Sequence, residues 1–117
     1  MKLNPGFAPR RPPRVPTILV EELHLRLQGR QQSLLLDVRE PWEYAQGHVP
    51  GAQLVPLNEL EERVCELPRD RPVYSICHSG QRSLAAAAFL LSEGFSEVSN
   101  VEGGTSAWIH RGFPIDR

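Results

Sequence analysis

The chain has 117 residues, is 40% hydrophobic and 23% charged, and carries a formal net charge of −1, the profile of one soluble globular domain. That balance excludes a generally basic nucleic-acid or membrane-surface binder. Two cysteines cannot build a disulfide framework, which favours a reduced, cytoplasmic setting. The longest apolar run, Leu84 to Leu91, is eight residues against the ~20 of a membrane helix. Met1 to Pro5 leads into prolines and arginines rather than into an apolar targeting segment.

Residues 1–16 hold five of the eleven prolines, interleaved with Arg10, Arg11 and Arg14, and read as an extended N-terminal arm ahead of a single domain at 17–117. The same composition suits docking on an acidic partner or an SH3-like groove. Val20, Leu23 and Leu27 form a helical stripe ended by Gly29. Leu19 stands at the cap position of that helix, where Ser or Thr is expected. Leu34 to Val38 reads as a strand buried on both faces. Pro41 to Gln46 suits one helical turn with proline at its start. Ala52 to Val55 is the next candidate strand, and Leu57, Leu60, Val64 and Leu67 mark a helix over 57–67.

Pro72 to Ile76 reads as a strand that runs directly into Cys77-His78-Ser79-Gly80-Gln81. The alanine-rich stretch Arg82 to Glu93 is a strong helix, with Gly94 suited to its C-terminal cap. Val98 to Val101 is a last strand and Thr105 to His110 a last short helix. Strands alternating with helices over short links indicate an α/β domain around a mostly parallel sheet.

Chemistry is best placed at the junction after Ile76. A strand delivers Cys77 at its carboxyl end, where open α/β sheets hold ligands. Gly80 lets the backbone bend, and the following helix adds its positive end and free N–H donors. An anion fits such a cradle, and the nearest is the Cys77 thiolate, which makes Cys77 a candidate nucleophile with a depressed pKa. A small buried residue at a strand end would leave the same local pattern, so both readings stand at this point. Cys65, on the flank of an amphipathic helix, reads as packing. His78 either tunes the cysteine or faces water. Asp37, Arg39, Glu40 and Glu43 follow a strand end and are candidates for the sheet edge that carries Cys77. The four histidines show no metal-ligand spacing, so no metal is expected.

Four segments together resemble the single-domain rhodanese (rhodanese-like sulfurtransferase) family: Leu34–Tyr44, Gly47–Ala52, Cys77–Ser83 and Gly103–Trp108. They come in the family's order and spacing over about residues 17 to 116. The resemblance implies a three-layer α/β fold with a central, mostly parallel five-stranded sheet. It implies Cys77 as the catalytic residue, carrying sulfur as a covalent persulfide without metal or organic cofactor. His78, Ser79, Gly80, Gln81, Arg82 and Ser83 would form the binding loop, with Asp37 and Arg39 at its rim and Arg82 bracing its end. The implied partners are a small sulfur donor such as thiosulfate and a thiol or cyanide acceptor, or a sulfur-accepting protein. Four residues separate Cys77 from Arg82, one fewer than in related phosphatases and arsenate reductases, which favours sulfur over a tetrahedral oxyanion. Family enzymes often carry arginine where this chain has His78. A histidine is charged only part of the time near pH 7, which puts the identity of the donor in question.

Overall fold

In the computed structural model, which describes residues 14–117, the apolar runs form a five-stranded sheet with helices on both faces. The elements are β1 (Thr17–Ile18), α1 (Val20–Leu27), β2 (Leu34–Asp37), α2 (Pro41–Gln46), β3 (Gln53–Leu54), α3 (Leu57–Arg63), β4 (Val73–Ile76), α4 (Gln81–Ser92), β5 (Val98–Val101) and α5 (Gly104–His110). The strand order is β1-β5-β4-β2-β3. Every pairing among these strands is parallel rather than mostly so.

Alternation along the central strands divides the core into two layers. Leu34 and Leu36 of β2, Val73 of β4 and Val98 of β5 pack with Leu60, Ala86 and Leu90 of α3 and α4. Leu35, Tyr74, Ile76 and Val101 point the other way, onto Leu23 of α1 and Trp108 of α5. Both faces of β2 and β4 are therefore covered, and all four residues of each strand are buried. Burial on this scale, at about 25 cal/mol per Å² of apolar surface, is what makes these short strands stable.

Several local expectations change. Thr17–Ile18 is a strand, paired with Asn100 and Val101, that two residues following Pro16 gave no periodic sign of. Residues 1–13 of the expected arm lie outside the described residues. Its last part feeds β1, with the Pro16 carbonyl accepting the Asn100 N–H at 2.8 Å. The helix expected over 57–67 stops at Arg63 and tightens into a 3₁₀ turn, Val64–Glu66. Pro68 explains the exit, since it drives Leu67 into extended backbone. Cys65 lies in that turn and is exposed, so it does not pack on a helix flank. The helix expected over 82–93 runs from Gln81 to Ser92. Leu19 caps α1 without a side-chain bond; Glu21 and Glu22 in the first turn place negative charge at its positive end instead. Among the described residues no helix is long and apolar enough to cross a membrane.

The topology sets up the site. β2 and β4 lie side by side with Asp37 opposite Ile76, so the segments leaving their carboxyl ends begin together. β5 lies on the other side of β4 and delivers Glu102, Gly103 and Gly104 to the same edge.

Candidate active site

Cys77 directly follows β4 and is 1% exposed. The Gly80 N–H donates to its Sγ at 3.1 Å, and the Ser83 hydroxyl lies 3.2 Å from the same sulfur. Gly80 makes this curl possible: it sits at φ +105°, in left-handed backbone, at the N-cap of α4. A Cβ there would come within 3.3 Å of the Gly103 nitrogen. Burial pushes the Cys77 thiol up. The Ser83 hydroxyl and the N–H groups of Ser83, Gly80 and Ser79 more than offset this, and the thiol lies below its ordinary value.

The loop rests on the start of α5. The Thr105 N–H donates to the Cys77 carbonyl at 2.8 Å and the Ser106 N–H to the His78 carbonyl at 3.0 Å. Gly104 permits that approach, since a Cβ on it would meet the Cys77 carbonyl oxygen at 2.5 Å. Trp108 then anchors α5 in the core, its Nε1–H donating to the Pro114 carbonyl at 2.7 Å.

Behind the loop, Ser83 and β5 form a second layer of polar contacts. Asn100 Nδ2 donates to the Gly80 carbonyl at 3.1 Å, and Ser83 Oγ lies 2.6 Å from Asn100 Oδ1. Arg82 grips Glu43 of α2 through two bonds of 2.7 and 2.8 Å. The Arg82 bonds hold the Glu43 carboxyl at about 2, with the Glu40 N–H assisting. Arg82 thus ties the loop's far end to α2.

Asp37 and Arg39 do not stand on a rim. Both are buried and form an ion pair at 2.8 Å, with Arg39 also donating to the Gly47 carbonyl at 2.9 Å. Arg39 still reaches the site, because it lines a pocket of about 380 Å³ together with Trp42, Glu43, His78, Thr105 and Ile109. His78 and Ser79 are exposed, as is Gln81 at the start of α4. Trp42 and Ile109, large and exposed, put apolar surface beside this opening. Thr105 Oγ1 is buried there with no hydrogen-bond partner.

Glu43, a sequence candidate for this sheet edge, does line the pocket, whereas Asn100 and Thr105 were not singled out as site residues from sequence. Asn100 carried one usable sign, a polar residue inside an otherwise strand-like run. Thr105 carried none, since its partner Cys77 lies 28 residues away, and nothing in sequence paired Glu43 with Arg82, 39 residues on.

Comparison with known proteins agrees with this architecture. The model of the rhodanese-like domain family matches residues 19–111. A sulfurtransferase of Allochromatium vinosum is 42% identical over 95 residues, covering 81% of this chain and 89% of that protein. YrkF of Bacillus subtilis, whose name marks it as a candidate sulfur carrier, is 39% identical over 94 residues; the match covers 80% of this chain and 51% of YrkF. A crystal structure of a rhodanese-related protein from Thermoplasma volcanium superposes with a TM-score of 0.80 at 35% identity, covering 86% of this chain and 97% of the other. With the parallel sheet, the cysteine loop at its carboxyl edge and these matches together, the chain belongs to the rhodanese-like domain family.

Proposed function

We propose that the chain is a sulfurtransferase that moves sulfane sulfur through a persulfide on Cys77. The observation that carries this reading is the cradle at the start of α4, in which Gly80 and Ser83 meet the sulfur and favour its thiolate. The thiolate attacks the sulfane sulfur of a donor such as thiosulfate. A new S–S bond forms, the donor's S–S bond breaks, and sulfite leaves with its electron pair. An acceptor nucleophile, cyanide or a thiol, then attacks the outer sulfur, and the electrons of the broken S–S bond return to Cys77. Loop N–H groups aimed at the sulfur stabilise negative charge as it develops, an oxyanion-hole type of contribution. No metal or organic cofactor enters this scheme.

The pocket bounded by Arg39, His78 and Thr105 is where we place the donor's charged end. Arg39, its charge balanced by Asp37, offers its guanidinium edge there, and the unpartnered Thr105 hydroxyl supplies a donor or acceptor. Since Cys77 is 1% exposed, a small displacement of the loop accompanies attack.

A second reading, a persulfide-docking module that hands sulfur to a protein, draws on the exposed Trp42 and Ile109 beside the pocket and on the name of YrkF. Phosphatase or arsenate reductase chemistry is disfavoured by the four residues between Cys77 and Arg82. Intact mass after incubation with thiosulfate tests the proposal. One added sulfur, removed by cyanide with release of thiocyanate, is expected. Absence of the adduct overturns it. Efficient discharge to a protein thiol with poor turnover of cyanide selects the second reading.

A further inference from the structure

The polar layer behind Cys77 contains one proton too few for its acceptors once the thiol ionises. The Asn100 amide is oriented by its Nδ2 bond to the Gly80 carbonyl, which turns Oδ1 toward Ser83. Ser83 has a single hydroxyl hydrogen and two neighbours that could take it, Oδ1 at 2.6 Å and Cys77 Sγ at 3.2 Å. With Cys77 as a thiol every demand is met: the S–H donates to Ser83 Oγ, and Ser83 donates to Asn100. Once the thiol proton has left to solvent, the hydroxyl must choose. If it stays with Asn100, Ser83 presents lone pairs to an anion. If it turns to the sulfur, Asn100 Oδ1 is left unpaired in a residue that is 5% exposed. Turning the amide over would instead face Oδ1 to the Gly80 carbonyl.

We propose that Asn100 is a positioning residue that acts through the Ser83 hydroxyl to restrain ionisation of Cys77. Its effect opposes that of the loop N–H groups. A persulfide relieves the conflict, because the inner sulfur is then neutral, the charge sits on the outer sulfur, and Ser83 returns to Asn100. Asn100 therefore favours the loaded state over the bare thiolate. That consequence rests on the sulfur-transfer reading above, whereas the ionisation effect does not.

Several charged groups surround the loop, and after β2 Asp37 and Arg39 are buried as an ion pair with each other. Arg82 on α4 interacts with Cys77 and is paired with Glu43 on α2. His78, next in the chain, is exposed. β5 and α5 contribute Asn100 and Thr105, neither of which titrates. The substitutions below leave all of these charges in place.

The test is the pH dependence of iodoacetamide alkylation of Cys77, measured in the Cys65→Ser protein so that one thiol reports. Asn100→Leu, of similar volume, should lower the midpoint by roughly half to one pH unit, the size of one neutral hydrogen bond. Ser83→Ala should raise it. In the Ser83→Ala protein, Asn100→Leu should leave the midpoint where it was. Asn100→Val, smaller and suited to a strand, should shift it in the same direction as Asn100→Leu and serves if leucine does not fit. An equal shift with and without Ser83, or an upward shift on removing Asn100, overturns the proposal. Alkylation needs no sulfur donor, so failure of sulfur transfer would be seen separately.

Discussion

Arg82 and Glu43, 39 residues apart in sequence, face each other through two parallel bonds of 2.7 and 2.8 Å. The pair joins the first turn of α4 to α2, so the two segments that flank the Cys77 loop are held as one unit. Glu43 also accepts the Glu40 N–H at 3.0 Å, which fixes its carboxylate for the arginine fork.

A stability prediction follows from the sign of the Glu43 shift. Its carboxyl is lowered from 4.5 to about 2, so its contribution is fully present above pH 4.5 and is lost as pH falls through about 2. Arg82 is partly exposed, which screens the pair, and Glu43→Gln should cost about 1 kcal/mol at pH 7. Urea unfolding of wild type and variant should differ at pH 7 and converge between pH 4.5 and 2. A difference that does not change with pH would mean that the pair contributes packing rather than charge.

Removing either cysteine should separate their roles. Cys77→Ser should abolish sulfur uptake from thiosulfate, read as intact mass. Cys65→Ser should retain most of it, because Cys65 is exposed in the 3₁₀ turn after α3 while Cys77 holds the cradle. Equal losses in both variants would indicate a dithiol mechanism.

Thr105→Val exchanges an unpartnered buried hydroxyl for a methyl group of the same shape. The empty protein should become more stable, by up to about 1 kcal/mol, since an unpaired buried polar group is costly. Donor binding should weaken about threefold to tenfold, the worth of one hydrogen bond. Trp42 lines the pocket and Trp108 is buried, so a fluorescence titration of the Cys77→Ser protein with thiosulfate reads occupancy without turnover. Greater stability with unchanged affinity would confine Thr105 to packing.

His78→Arg should improve catalysis with thiosulfate, mainly through a lower KM, because His78 lines the pocket that opens beside the loop. A fixed charge gains roughly 1 kcal/mol in water for each unit of negative charge about 4 Å away, so at least about a fivefold effect is expected. Added salt should shrink the gain. Steady-state rates at two ionic strengths check this; a change indifferent to salt would place the side chain away from the donor.

Much of the fold was legible in the chain itself. Hydrophobic periodicity marked α1 and α3, alanine-rich composition marked α4, apolar runs marked β2, β4 and β5, and their alternation indicated a parallel α/β sheet. The spacing from Cys77 through Gly80 to the start of α4 also indicated N–H donors curled around the sulfur, because its parts are contiguous and their geometry is local. Tertiary structure alone decided the rest. The two-residue β1 exists only because β5 offers it a partner, and Asp37 and Arg39 turn inward because an ion pair is available there. Asn100 and Thr105 join the site from β5 and α5, and Glu43 of α2 meets Arg82, because a parallel sheet collects the carboxyl ends of distant strands along one edge. A hydrogen bond across 17 or 39 residues leaves no periodic trace in sequence, since it depends on where the chain returns and not on what its neighbours are.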